Sequence, residues 1–199
     1  MSTVLISVIT RDGICAQTVR WLLDQPYPVD IVHSPYTIEH QRNWQAERFL
    51  ERDEDYLFIV DNDTIPKAGT IEELIKHAQP GVIMVAPSWA FSTGGQQIVP
   101  MAYRYRESLY YPVTYTNGIV SVDAAGMSGA LIPRQVFKDI SRPWFHMPHD
   151  EIGKLVSTED MFFWTKVRES GYRLKAHLGL VAEHLKLLHL SILPPLTPE

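Results

Sequence analysis

Cysteine is nearly absent: a chain of 199 residues carries only Cys15. That excludes an intrachain disulfide framework and a zinc site built from several thiolates, and it makes a reducing compartment, the cytoplasm, the expected setting. An excess of positive charge is missing too. Against 23 Asp and Glu stand 18 Lys and Arg, a formal net charge of −5, so no broad phosphate-backbone footprint for nucleic acid is expected. No apolar run is long enough to be a membrane helix. The longest uncharged stretch, residues 78–103, is broken by Pro80, Pro87, Pro100, Gly94-Gly95 and Gln96-Gln97, which rules out a transmembrane segment there. The N-terminal "MSTVLISVITRD" lacks a basic region and meets charge at Arg11, so it reads as a first strand and not as an export signal. Repeats and low-complexity segments are absent, as are a P-loop and a G-x-G-x-x-G sequence.

What is present suits one domain, residues 1–199, long enough to bury a sizeable core. The first hundred residues alternate strand and helix patterns. Strands are predicted at 3–10, 29–33, 56–60 and 82–87. Helices are predicted at 15–25, with Val19, Leu22 and Leu23 on the buried face, at 38–52, with Trp44, Phe49 and Leu50 at helical spacing, and at 69–78. Such alternation implies right-handed crossovers and parallel pairing. From residue 101 the pattern changes: an antiparallel ribbon in "MAYRYRESLYY", two short strands within 119–133, a short helix, a loop, a helix over 157–171 with Ser157 as N-cap and Gly171 just past its end, and two late strands in "YRLKAHL" and "GLVAEHL". The expectation is an α/β fold with a mixed, mostly parallel central sheet flanked by helices. Residues 1–100 read as a nucleotide-binding-like α/β half and residues 101–199 as a mixed half.

The most informative stretch is "DEDYLFIVDNDTIPKAG", residues 53–69. A strand that reads as fully buried runs directly into Asp61-Asn62-Asp63. Two carboxylates one residue apart repel each other unless water, hydrogen bonds or a cation offsets the charge. Open α/β sheets bind ligands beyond the carboxyl ends of their strands, where this pair lies. The plainest reading is an Asx-type turn before Ile65-Pro66. An EF-hand fails, because Ile65 and Pro66 stand where it needs an oxygen ligand and a glycine. A haloacid-dehalogenase-like phosphotransferase with Asp61 as nucleophile is an alternative, although Thr64 and Ile65 depart from that motif and it usually lies on the first strand. A third reading is a hard divalent cation shared between the carboxylates and a nucleotide diphosphate, easing departure of the diphosphate.

Downstream, "AAGMSGALIPRQVF", "RPWF", "STEDMFFWTKVRESGY" and "VAEHL" follow in order. With "QRNWQAERFLERDEDYLFIVDNDTIP", they resemble the family-two type of GT-A glycosyltransferases over most of residues 3–185. The chain's shortness, with no acceptor domain or anchor, is similar to small virus-encoded or bacterial members. The resemblance implies a GT-A (nucleotide-diphospho-sugar transferase) fold, with residues 101–199 as its acceptor and catalytic half. It also implies a metal-dependent hexosyl transfer, with inversion, from a nucleotide-diphosphate sugar to a hydroxyl of a glycan, glycolipid or glycoprotein.

Residue by residue, it implies Asp61, Asp63 and His184 at a Mn²⁺ or Mg²⁺ ion. Thr10, Arg11, Arg42, Asn43, Asp61, Asn62, Gly126 and Gly129 would lie at the nucleotide and donor sugar. Asp160 would be the general base, with Glu159 beside it as a candidate acceptor contact. Phe162 replaces a later acidic position of the family. A base must take the acceptor proton during attack, and a carboxylate at a helix N-terminus stays ionised; Ser157-x-x-Asp160 also has the form of a capping box. His184, at a strand end, suits Mn²⁺ over Mg²⁺. Trp89, Trp144 and Phe145 are candidates for stacking on acceptor sugars, although core or rim packing is the commoner fate of such rings. His149, Asp150 and Glu151 read as a solvated turn. Histidines 33, 40, 77, 146, 177 and 189 carry no readable role. The tail "KLLHLSILPPL" reads as a packed C-terminal segment, with contact to a membrane surface or partner chain as the alternative. A non-catalytic binding module with a vestigial site is a further alternative, and oligomeric state is not legible.

Overall fold

The computed structural model describes residues 2–91 and 97–186; most of the tail from residue 187 lies outside them. The first half runs β1 (Val4–Thr10), α1 (Ala16–Leu23), β2 (Val29–His33), α2 (Ile38–Leu50), β3 (Tyr56–Asp61), β4 (Thr64–Ile65), α3 (Thr70–Lys76) and β5 (Val82–Val85). The second half holds β6 (Trp89–Phe91), β7 (Ile98–Pro100), β8 (Ala102–Arg106), β9 (Leu109–Pro112), β10 (Ile119–Val122), β11 (Ala124–Ala125), β12 (Ala130–Pro133), α4 (Arg134–Asp139), α5 (Glu159–Glu169), β13 (Arg173–His177) and β14 (Glu183–His184).

Seven strands form the central sheet in the order β10-β13-β5-β12-β3-β1-β2. β1 pairs parallel with both β2 and β3, and β13 parallel with β5. β3 and β5 are not neighbours. β12 runs antiparallel between them, and β10 is an antiparallel edge. The sheet is thus mixed, with every residue of β1 and β5 buried. Strands covered on both faces read as continuous apolar runs, as "VLISVIT" and "VIMV" do. β8 and β9 form the expected antiparallel ribbon. "GLVAEHL" is not one strand: a 3₁₀ turn at Leu178–Leu180 precedes the two-residue β14.

Two helix faces differ from the sequence reading. α1 buries Thr18, Trp21 and Leu22, while Val19 and Leu23 are exposed. Both triplets have helical spacing, one residue apart in phase, and burial of the large indole of Trp21 selects between them. α2 buries Gln41, Arg42, Gln45, Ala46 and Phe49, and Trp44 lies outside. Its inner face is largely polar because it meets the cleft described below. α5 begins at Glu159 with Thr158 as N-cap, and Gly171 follows its C-terminus at φ +84°, a left-handed value that glycine adopts freely.

Candidate active site

A cleft of about 490 Å³ opens at the carboxyl ends of β1 and β3. Residues 57–60 of β3 are fully buried, and Asp61 is the first of the strand to emerge from the sheet. The loop after β1 is closed locally. The Thr10 hydroxyl donates to the Gly13 carbonyl and accepts from the Gly13 amide at 2.9 Å. Asn62 Nδ2 donates to the same carbonyl at 2.7 Å, and the Cys15 amide donates to the Asn62 carbonyl at 2.9 Å. These bonds hold exposed Arg11 and Asp12 at the rim. Thr10 and Asn62 therefore shape the wall as well as line it.

Asp61 and Asp63 take different partners. Asp61 is ion-paired with Arg42, whose side chain is 1% exposed. The Asp61 amide donates to Ser128 Oγ at 3.1 Å, while Gln45 supports Arg42 at 3.4 Å and is itself tied to Ser7 at 3.0 Å. Arg42 Nε is buried and finds no partner among the described residues. A buried N–H left unpaired costs about 1–3 kcal/mol.

Asp63 Oδ2 lies 3.3 Å from His184 Nε2 and 2.9 Å from Lys186 Nζ. Burial alone would raise the Asp63 pKa, but His184 and Lys186 outweigh it and hold the carboxyl down at about 2. The His184 pKa is raised, chiefly by Asp63. His184 Nδ1 faces the Trp89 carbonyl at 2.8 Å. A carbonyl only accepts, so Nδ1 carries the proton, and Nε2 then faces a carboxylate. Two acceptors at that distance require a proton or another cation between them. Neither carboxylate caps its own turn, so the Asx reading is replaced by these ion pairs. β4 and β14 pair His184 with Thr64, and the Leu185 amide donates to the Asp63 carbonyl at 2.8 Å, which fixes the approach.

Asp61, Asp63 and His184 do not converge on one point. Among the described residues, the group of three whose ligand atoms lie within 4.8 Å of one another is Glu73, His77 and His177, away from this cleft. Asp63 and His184 do fit one cation. Donor atoms on adjacent vertices of an octahedron with bonds near 2.1 Å are roughly 3 Å apart, and the Trp89 carbonyl presents Nε2 as a backing acceptor does in metal sites. Asp61 is turned to Arg42 instead.

Asp160 and Glu159 line the same cleft from the first turn of α5. Asp160 Oδ1 accepts the Met161 amide at 2.8 Å and the Thr158 hydroxyl. The capping-box reading is thereby corrected: Ser157 does not cap the helix, and Asp160 bonds its neighbours rather than reaching back to residue 157. Burial pushes the Asp160 carboxyl above the ordinary range; burial and then Asp160 do the same for Glu159.

Five expected site residues, Asn43, Trp89, Gly129, Trp144 and Phe145, do not line the cleft. Asn43 is a clamp: Nδ2 donates to the Glu39 and Phe145 carbonyls at 2.8 and 2.7 Å, and Oδ1 accepts the amides of Trp144 and Phe145 at 3.0 and 3.2 Å. Trp144 and Phe145 are core residues, 2% and 1% exposed, and Phe145 stacks on Phe163 at 4.6 Å. They are not sugar platforms. Trp89 gives the site its carbonyl while its ring packs on Tyr115. Gly126 lines the cleft, whereas Gly129 permits close packing: at φ +83° an added Cβ would lie 1.9 Å from the Ala86 carbonyl oxygen. Asp150 organises its own turn through the amides of Ile152 and Lys154. The sequence reading missed Lys186 and Ser128. Lys186 had no motif to mark it, and Ser128 sat inside a segment read for its glycines.

No family model and no curated protein matches the sequence. Solved structures do match. The crystal structure of A197 from STIV aligns with a TM-score of 0.65 and 19% identity, over 92% of this chain and 86% of that one. The crystal structure of GalNAc-T7 with UDP, GalNAc and Mn²⁺ aligns with a TM-score of 0.67 and 12% identity, over 98% of this chain and 45% of that one. The chain has the GT-A fold. It spans less than half the length of the GalNAc-T7 chain, and at these identities the likeness is one of fold. On the GT-A fold of this chain, the cleft sits where open α/β sheets place ligands. Among the described residues no helix is long and apolar enough to cross a membrane.

Proposed function

We propose that this chain is a glycosyltransferase. It moves a hexose from a nucleotide-diphosphate donor to a hydroxyl of a glycan, glycolipid or glycoprotein, with inversion and with Mn²⁺ (or Mg²⁺) as cofactor. The reaction is placed in the cytoplasm, on the strength of the single cysteine. The observation that carries the reading is the Asp63–His184 pair, whose facing atoms share a proton or another cation at the mouth of a strand-end cleft that also holds Asp160. The GalNAc-T7 structure, with UDP and Mn²⁺, supports a like use of this fold.

In this reading Asp63 and His184 would hold the metal, which would supply positive charge to ease departure of the diphosphate. Arg42 keeps Asp61 oriented at the wall of the cleft. Thr10, Arg11, Asn62 and Gly126 border the nucleotide and sugar. Asp160 takes the proton of the acceptor hydroxyl as its oxygen attacks the anomeric carbon and the bond to the diphosphate breaks. Its raised pKa brings it nearer the operating pH, where a general base works best. The phosphotransferase reading needs Asp61 free to attack, and Asp61 is held by Arg42.

Lys186 favours a second reading, in which Lys186 and Arg42 bind the diphosphate without metal. A thermal-shift panel of UDP-, GDP-, dTDP- and CDP-sugars, each with Mn²⁺, Mg²⁺ or EDTA, separates the two. At about a hundred times its dissociation constant, a bound donor adds roughly 2.7 kcal/mol, which raises the melting midpoint by about 5–10 °C at this size. A rise for one nucleotide class that vanishes in EDTA is expected. A rise that persists in EDTA favours the second reading, and a flat panel overturns both.

A further inference from the structure

We propose a second metal site, for a borderline transition ion such as Zn²⁺, built from Glu73, His77 and His177. It is independent of the transferase reading. Glu73, in the first turn of α3, and His77, its C-cap, are four residues apart and lie on one face. Glu73 Oε1 lies 3.2 Å from His77 Nε2, while Lys76 Nζ takes the other carboxylate oxygen at 2.8 Å. His177, the last residue of β13, brings its ring to 5.9 Å from that of His77, centroid to centroid. One ligand atom from each of the three falls within 4.8 Å of the others.

The decisive observation is at His177. Its Nδ1 is sealed from solvent and has no hydrogen-bond partner among the described residues. A buried polar atom without a partner asks for an explanation, and an ion is one of the few available. Two imidazoles with one carboxylate suit Zn²⁺ and its transition-metal neighbours, not Mg²⁺ or Ca²⁺, which prefer oxygen ligands. Three protein ligands leave a fourth tetrahedral position for water. Small side-chain rotations bring ligand atoms this close onto one ion. The three residues are half-buried, so an ion can enter from solvent.

The place of the site gives it a role. The turn that carries Asp63 leads through β4 and residues 66–69 to α3, and β13 leads through the 3₁₀ turn to β14 and His184. Lys67 Nζ already donates across these two segments, to the Gly179 carbonyl at 2.9 Å. An ion joining α3 to β13 fastens the same two segments, and so steadies the β4–β14 pairing that sets His184 beside Asp63.

Titration of the full-length, tag-free protein with Co²⁺ tests the proposal, because tetrahedral Co²⁺ absorbs strongly in the visible. A saturable band at one ion per chain, removed by Zn²⁺, is expected. It should be lost in His177→Ala and in the surface variant His77→Gln, and kept in Asp63→Asn. Zn²⁺ at about a hundred times its dissociation constant should raise the melting midpoint by roughly 5–10 °C in the parent protein and not in His77→Gln. Absence of both the band and the Zn²⁺ shift overturns the proposal. So does a band that survives both histidine replacements, or one that disappears only in Asp63→Asn.

Discussion

His184 Nε2 faces Asp63 Oδ2 at 3.3 Å while its other ring nitrogen is committed to the Trp89 carbonyl. That relationship places a proton between the two atoms, and under the proposed function a metal ion would take its place. It gives a pH dependence whose sign can be worked out. The Asp63 pKa is lowered from 3.8 to about 2, so its contribution to stability is present above the ordinary value and is lost as pH falls through about 2. The His184 pKa is raised above 6.5, so its contribution is complete below 6.5 and is lost as pH rises through the raised value. Both charges coexist between those limits. Asp63→Asn should therefore lower the melting midpoint more at about pH 5 than at about pH 9, in EDTA. Equal losses at the two pH values would contradict the pairing.

Lys186 shares Asp63 Oδ2 with His184 and, under the proposed function, would compete with the metal for that oxygen. Lys186→Ala is expected to strengthen Mn²⁺ binding, read by calorimetric titration. Weaker diphosphate binding in EDTA by the same variant would instead support the metal-free reading.

Asp160→Asn should lower turnover by roughly 10²–10⁴-fold, the usual worth of a general base, and leave donor affinity unchanged. Asparagine keeps an oxygen for the Met161 amide, so the melting midpoint should hold. In the parent protein the acid limb of the turnover–pH profile should lie above the ordinary carboxylate range, because burial raises this group. Near-full activity of Asp160→Asn would remove it from the chemistry.

Asn43→Ala separates a clamp from a donor contact. It strips four hydrogen bonds from residues 39 and 144–145, including buried amides. Leaving such groups unpaired costs about 1–3 kcal/mol each, and each kcal/mol moves the melting midpoint by about 2–4 °C at this size. The expected result is a clear fall in melting temperature with nucleotide affinity intact. Lost affinity at unchanged stability would return Asn43 to the donor site.

These results show where sequence is a good guide here. The strands were legible because "VLISVIT", "YLFIV" and "VIMV" are buried on both faces, and the ends of β1 and β3 placed Thr10, Asp61 and Asp63 at one cleft. Chain order does not show that β12 enters between β3 and β5, since that neighbour arrives from seventy residues downstream. A motif cannot tell a ring in the core from one at a rim, so for Trp144 and Phe145 it leaves sugar stacking open beside the core packing that they show. α2 hid its inner face because Gln41, Arg42 and Gln45 are polar and buried. Glu73 and His77 sit at an ordinary helical spacing, and their partner His177 is a hundred residues away.

The central claim is that Asp63 and His184 hold the cation on which donor binding depends. It is tested most directly by calorimetric titration of the nucleoside diphosphate chosen by the thermal panel. Parent protein, Asp63→Asn and His184→Ala are each titrated with Mn²⁺ and with EDTA. The account predicts tight binding only for the parent protein with Mn²⁺, and weak, metal-indifferent binding in both variants. Equal affinity in EDTA and Mn²⁺ for the parent protein, or unchanged metal-dependent affinity in both variants, would contradict it.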